Sequence, residues 1–114
     1  MVIDDAWVDR WVAAVDGTPM PAGVPDAVVA WAVHDGPSWW LRIAGGAARA
    51  GRGEVDDPAV VLATDAATAA ALHDGHVSIE GAVLDGRLKL SGDVTRLPAL
   101  RAAFDAVAEA ARRS

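Results

Sequence analysis

His73, Asp74 and His76 place two imidazoles three residues apart with a carboxylate between them. These are zinc-binding donor types, and a metal would need them on one shared face. Asp74-Gly75 stands inside the group and is a helix-stop pair, which breaks such a face. No carboxylate-rich partner segment accompanies it, so the segment reads as an exposed loop and no metal is expected. His34, beside the turn pair Asp35-Gly36, carries no stronger claim. The run from Gly45 to Gly53 contains four glycines and two arginines but fits neither GxxxxGK[ST] nor GxGxxG. No helix follows to offer its N-terminus to a phosphate, so a bulged edge strand or a turn is the expectation. Ser38 and Ser91 lie outside any GxSxG elbow. Glu80 is the single acid in an apolar helical turn and reads as a polar group in a pocket or as a solvated helix face. No nucleophile, base and oxyanion donors assemble, so neither catalysis nor a cofactor is expected.

Tryptophan is the unusual count. There are five, at positions 7, 11, 31, 39 and 40, against one phenylalanine and no tyrosine. Trp7 and Trp11 share a helical stripe, which suits core packing. Trp39 and Trp40 are neighbours on a strand and must point to opposite faces. One of them therefore leaves the main core, and the pair alone does not say which. An indole there suits the mouth of an apolar cavity or a protein interface.

The elements that must position these residues are legible from periodicity. Residues 4–16 form an amphipathic helix with Trp7, Val8, Trp11, Val12 and Val15 on one side, capped by Asp4 or Asp5 and stopped by Gly17. Pro19, Pro21 and Pro25 make the next stretch a loop. Strands follow at 28–34, 39–43 and, more weakly, 48–55, with a fourth, almost wholly apolar one at 59–63. Thr64 or Asp65 caps an alanine-rich helix ending at Asp74-Gly75, and residues 78–84 add a short helical segment. Residues 87–91 alternate as a half-buried strand with Leu88 and Leu90 toward the helices. A final helix presents Leu97, Leu100, Phe104, Val107 and Ala111, with Pro98 in its first turn. The fold class is α+β, with helices on one face of a mainly antiparallel sheet.

Composition bounds the rest. The chain has 114 residues, 53% hydrophobic and 23% charged, which suits one globular domain over 1–114. A net charge of −6 and the lack of a basic stripe argue against nucleic acid. There are no cysteines, so disulfides and thiolate chemistry are excluded. No apolar run is long enough for a transmembrane segment, and Met1-Val2-Ile3-Asp4-Asp5 does not read as a signal peptide, so a cytoplasmic protein is expected.

The second half resembles a known family. Asp57-Pro58-Ala59-Val60-Val61-Leu62-Ala63-Thr64-Asp65, a helix to Asp74-Gly75, then Gly86-Arg87-Leu88-Lys89-Leu90-Ser91-Gly92-Asp93 and a C-terminal helix are similar to the sterol-carrier-protein type 2 domain. The Gly86–Asp93 segment is the most specific part, and the element order agrees over nearly the whole chain. The resemblance implies a five-stranded sheet with helices packed on it. Between them it implies an apolar tunnel for a fatty acid, acyl-coenzyme A, phospholipid or sterol-like lipid. Ala69, Ala70, Ala103 and Ala108 would leave such a gap, or would equally permit close packing and no cavity. The chain departs from the family at Ala99-Leu100-Arg101-Ala102-Ala103-Phe104, so ligand specificity does not transfer. Wall candidates are Trp31, Leu41, Ile43, Leu72, Val83, Leu84, Leu100 and Phe104. The expected function is non-catalytic carriage of an apolar ligand. The alternative is an interaction module with a collapsed cavity that forms a homodimer through its surplus tryptophans.

Overall fold

A computed structural model describes residues 2–113. The first helix, α1 (Asp5–Val15), starts where the Asp4 carboxylate accepts a hydrogen bond from the Trp7 backbone N–H at 2.8 Å. Trp7, Val8, Trp11 and Val15 are its buried stripe. It ends at Val15: Asp16 is already extended, and Gly17, with φ of 86°, completes a tight turn closed by the Thr18 N–H donating to the Val15 carbonyl.

Three strands then form a meander: β1 (Ala27–Val33), β2 (Trp39–Ala44) and β3 (Ala47–Arg52). Gly45 and Gly46 close the β2–β3 hairpin, with φ of 58° and 79°, the sign pattern of a tight hairpin turn that favours glycine. The fourth strand, β4 (Val60–Thr64), lies parallel to β1. Beyond it come α2 (Ala66–His73), α3 (Ile79–Leu84), β5 (Lys89–Gly92), a 3-10 turn at Val94–Arg96 and α4 (Leu97–Arg113). The sheet order is β3-β2-β1-β4-β5, mixed, with β1–β4 the parallel pair. The α+β class and five-stranded sheet agree with the sequence reading.

Several boundaries move. β3 stops at Arg52 instead of reaching Val55, because Gly53 turns with φ of 79°. Its pairing with β2 runs unbroken from Ala47 to Arg52, so the edge strand carries no bulge. Gly51 has a different reason. A Cβ there would stand 2.2 Å from Cζ2 of Trp40, whose indole lies across that position. The last strand begins at Lys89, since the Arg87 and Leu88 N–H groups donate to the Ala82 carbonyl and close the exit of α3. Leu88 is buried all the same, and Lys89 is exposed, so the in–out register holds.

Of the two adjacent indoles, Trp39 faces the helices and Trp40 the opposite side. Trp39 is 3% exposed, whereas Trp40 is half-buried beneath the Arg42 guanidinium, 5.5 Å from its ring centroid. The core sits between sheet and helices, where Leu41, Ile43, Leu62, Leu88 and Leu100 are among the largest fully buried side chains.

Candidate functional site

The helical face of the sheet does not pack shut. A cavity of about 880 Å³ lies between β1, β2, β4 and β5 on one side and all four helices on the other, within the range of small-molecule sites. Its lining is predominantly apolar and divides by chemistry. Trp7 and Trp11 from α1, Trp31 from β1, Trp39 from β2, His73 from α2 and Phe104 from α4 make an aromatic wall. The rest of the lining is mostly aliphatic: Leu62 and Leu90 continue the row of Trp31 across β4 and β5, and Ile79, Val83, Leu84 and Leu97 come from α3 and the start of α4.

Sequence dictates how each side is held. The stripe of α1 brings Trp7 and Trp11 down onto Trp39, with ring centroids 5.1 and 6.1 Å from it. Trp31 and Trp39 are directly paired across β1 and β2, so strand register stacks their rings 6.0 Å apart and 17° from parallel. Phe104 then meets Trp31 edge-on at 6.2 Å. The helix α2 is capped by Asp65, whose carboxylate accepts from the Thr68 N–H at 2.6 Å; this contact holds the carboxyl below the usual range. The short α3 is capped by Ser78 and lies between Gly75 and Gly86, both with positive φ. Small side chains leave the room. Ala69 and Ala108 line the cavity, whereas Ala70 and Ala103 are spent on the packed core.

Polar groups gather at the rim. Arg101 on α4 donates to Glu80 on α3 at 3.3 Å, with both side chains largely in solvent. Asp105 also lines the cavity. His73 was expected in an exposed loop; instead it ends α2, half-buried, with its ring edge-on to Trp7 at 5.2 Å. Burial pushes its imidazole below the ordinary histidine value, the Asp74 charge works the other way, and Arg112 adds to the fall. His76 is exposed, so the two imidazoles differ in environment. Among the described residues no group of three or more His, Asp or Glu side chains is placed to hold a metal ion.

Of the eight wall candidates, Trp31, Leu72 and Phe104 border the cavity partly buried, whereas Val83 and Leu84 border it from exposed positions, 38% and 87% exposed. Leu41, Ile43 and Leu100 are 0%, 1% and 0% exposed and belong to the core behind it. Their strand and helix faces are the right ones, but each side chain is wholly consumed by packing. The reading of residue types missed Trp7, Trp11, Trp39 and His73 as lining. The signal available was the crowding of indoles into the first 40 residues, which local periodicity assigns to packing alone.

This frame belongs to a recognisable class, and comparison with known proteins says which. Residues 16–105 match the SCP-2 sterol transfer family. The chain is a member of that family. Among solved structures, sterol carrier protein 2 matches with a TM-score of 0.67 and 23% identity, covering 94% of both chains. Palmitated SCP2L2 from Aedes aegypti matches with a TM-score of 0.60 and 21% identity, covering 91% of this chain and 94% of that one. The sec-alkylsulfatase Pisa1 from Pseudomonas sp. matches with a TM-score of 0.56 and 18% identity, over 80% of this chain. This chain spans only 13% of that enzyme's length. At these identities the likeness speaks for the fold. No match was found among curated proteins.

Proposed function

We propose that this chain is a non-catalytic carrier that binds an apolar, lipid-class ligand in the cavity between sheet and helices, with residues 1–114 acting as one module. The observation that carries the reading is the cavity itself. About 880 Å³ walled by aromatic and aliphatic side chains survives in a domain that otherwise packs its core tightly. The cavity opens to solvent, so its apolar lining is left in contact with water, and a ligand that covers it removes that surface from water. Membership of a sterol transfer family and likeness to a palmitated relative support the same reading. Trp31, Leu72, Val83, Leu84 and Phe104 are the proposed ligand contacts, joined by Trp7, Trp11 and Trp39.

Dimerisation through surplus tryptophan is the weaker account. Four of the five indoles border the cavity, and the fifth, Trp40, is laid over Gly51 of its own sheet. Titration of intrinsic fluorescence with fatty acids, fatty alcohols, sterols and aromatic amphiphiles tests the carrier reading, since the reporters stand on the wall. A saturable change with at least one class is expected. Unchanged emission across all of them, together with no co-purifying lipid by native mass spectrometry, would overturn it.

A further inference from the structure

The lining of the cavity mixes aromatic and aliphatic side chains, and the two kinds of surface offer different contacts to an apolar ligand. The aromatic side is one continuous tiling: His73 touches Trp7, Trp7 touches Trp39, Trp39 touches Trp31, and Trp31 touches Phe104, with centroid separations from 5.1 to 6.2 Å. Trp31 is the hinge of that surface. It is half-buried where Trp39 is 3% exposed, it sits between Trp39 and Phe104, and it borders the cavity together with Trp7, Trp11 and Trp39. Rings prefer ring partners in offset or edge-on arrangements at these separations, a preference a saturated chain cannot use.

Charge at the rim points the same way. The charged residues bordering the cavity are Glu80, Asp105 and Arg101, two carboxylates against one guanidinium, and Glu80 already engages Arg101 at 3.3 Å. His73 is held toward its neutral form by burial. A ligand carboxylate at this rim would meet an Arg101 whose charge Glu80 already offsets in part, with Asp105 adding like charge.

We infer that the ligand is an uncharged molecule with a planar conjugated ring system, seated against the Trp31–Phe104 side of the cavity with any aliphatic part toward α3. This rests on the carrier reading and narrows its ligand class. Three probes separate the two claims in calorimetric or fluorescence titrations of the intact protein: 1-pyrenebutanol, hexadecan-1-ol and palmitate. The expected order is 1-pyrenebutanol tightest, by about ten-fold over hexadecan-1-ol, with palmitate weakest. Trp31→Leu and, separately, Phe104→Leu should each weaken 1-pyrenebutanol binding more than hexadecan-1-ol binding, so that the ring preference falls to about two-fold or less. The wild-type ranking stands on its own if either variant fails to fold. Equal or tighter binding of hexadecan-1-ol or palmitate would overturn the ring inference and leave the carrier reading intact. Binding of none of the three, nor of any lipid class, would remove both.

Discussion

The Trp7 indole and the His73 imidazole meet edge-to-face, with ring centroids 5.2 Å apart and planes at 85°. The contact joins α1 to the last turn of α2 on the cavity wall, where His73 is half-buried. That makes His73 a pH-sensitive part of the fold. Its folded-state value is lowered, chiefly by burial, so the unfolded chain takes up the proton first as pH falls. Stability is therefore highest above about pH 6.5, declines below it, and reaches its full loss under the folded-state value. Urea melts of wild type should show that decline between about pH 7.5 and 5, and His73→Gln should flatten it. An NMR titration midpoint for His73 above about 6.5 would contradict the assignment.

Gly51 and Trp40 are coupled by space. An added Cβ would fall 2.2 Å from Cζ2 of the indole, so Gly51→Ala must push the ring off the sheet, at about 1–3 kcal/mol. In the Trp40→Ala background the same change should cost far less. The coupling from a double-mutant cycle should lie at roughly 0.5–3 kcal/mol, and additivity of the two changes would show that the ring does not lie there.

The entry into β5, from Leu88 to Lys89, gives an internal control on register. Leu88 is 2% exposed, and Leu88→Ala should cost about 2–5 kcal/mol, whereas Lys89→Ala on the solvent side should stay within roughly 0.5 kcal/mol. Gly92 has φ of 85°, and a Cβ there would meet the Ala59 carbonyl oxygen at 2.3 Å. Both obstacles are backbone, so Gly92→Ala should destabilise more than Gly86→Ala, which shares a positive φ but has open space around it. Denaturant midpoints for the four variants decide the order.

Asp65 caps α2 through the Thr68 N–H at 2.6 Å. Asp65→Ala should cost about 0.5–2 kcal/mol at neutral pH. The carboxyl's lowered value means this contribution is present above the unfolded value near 3.8 and lost as pH falls through the folded one. Wild type and Asp65→Ala should therefore converge in strongly acidic melts; a gap that persists there would assign the cost to packing.

Much of this was legible because it is local. Asp4, Gly17, Asp65 and Gly86 mark element ends by caps and positive φ, which act within a turn of the chain. The alternation through Leu88, Lys89 and Leu90 set a register that packing kept. The cavity was less legible for the opposite reason. Leu41, Ile43 and Leu100 have the same type and face as true lining residues, and only the volume left over between distant elements separates wall from core.

The sequence by itself determined the α+β class, the strand-and-helix order, the starts of the first two helices to within a residue and the exclusion of cysteine chemistry. All of these follow from residue type, composition or spacings under about ten residues. The tertiary structure alone decided that four indoles and Phe104 share one wall, that Trp39 turns inward while Trp40 lies on Gly51, and that His73 leaves solvent. Each depends on which segments, tens of residues apart, are brought to one point. The parallel pairing of β1 with β4 is the decisive step: it puts Leu62 beside Trp31 and brings α2 in over the same face. No local pattern encodes that approach, because its free energy comes from contacts that exist only once the sheet has formed.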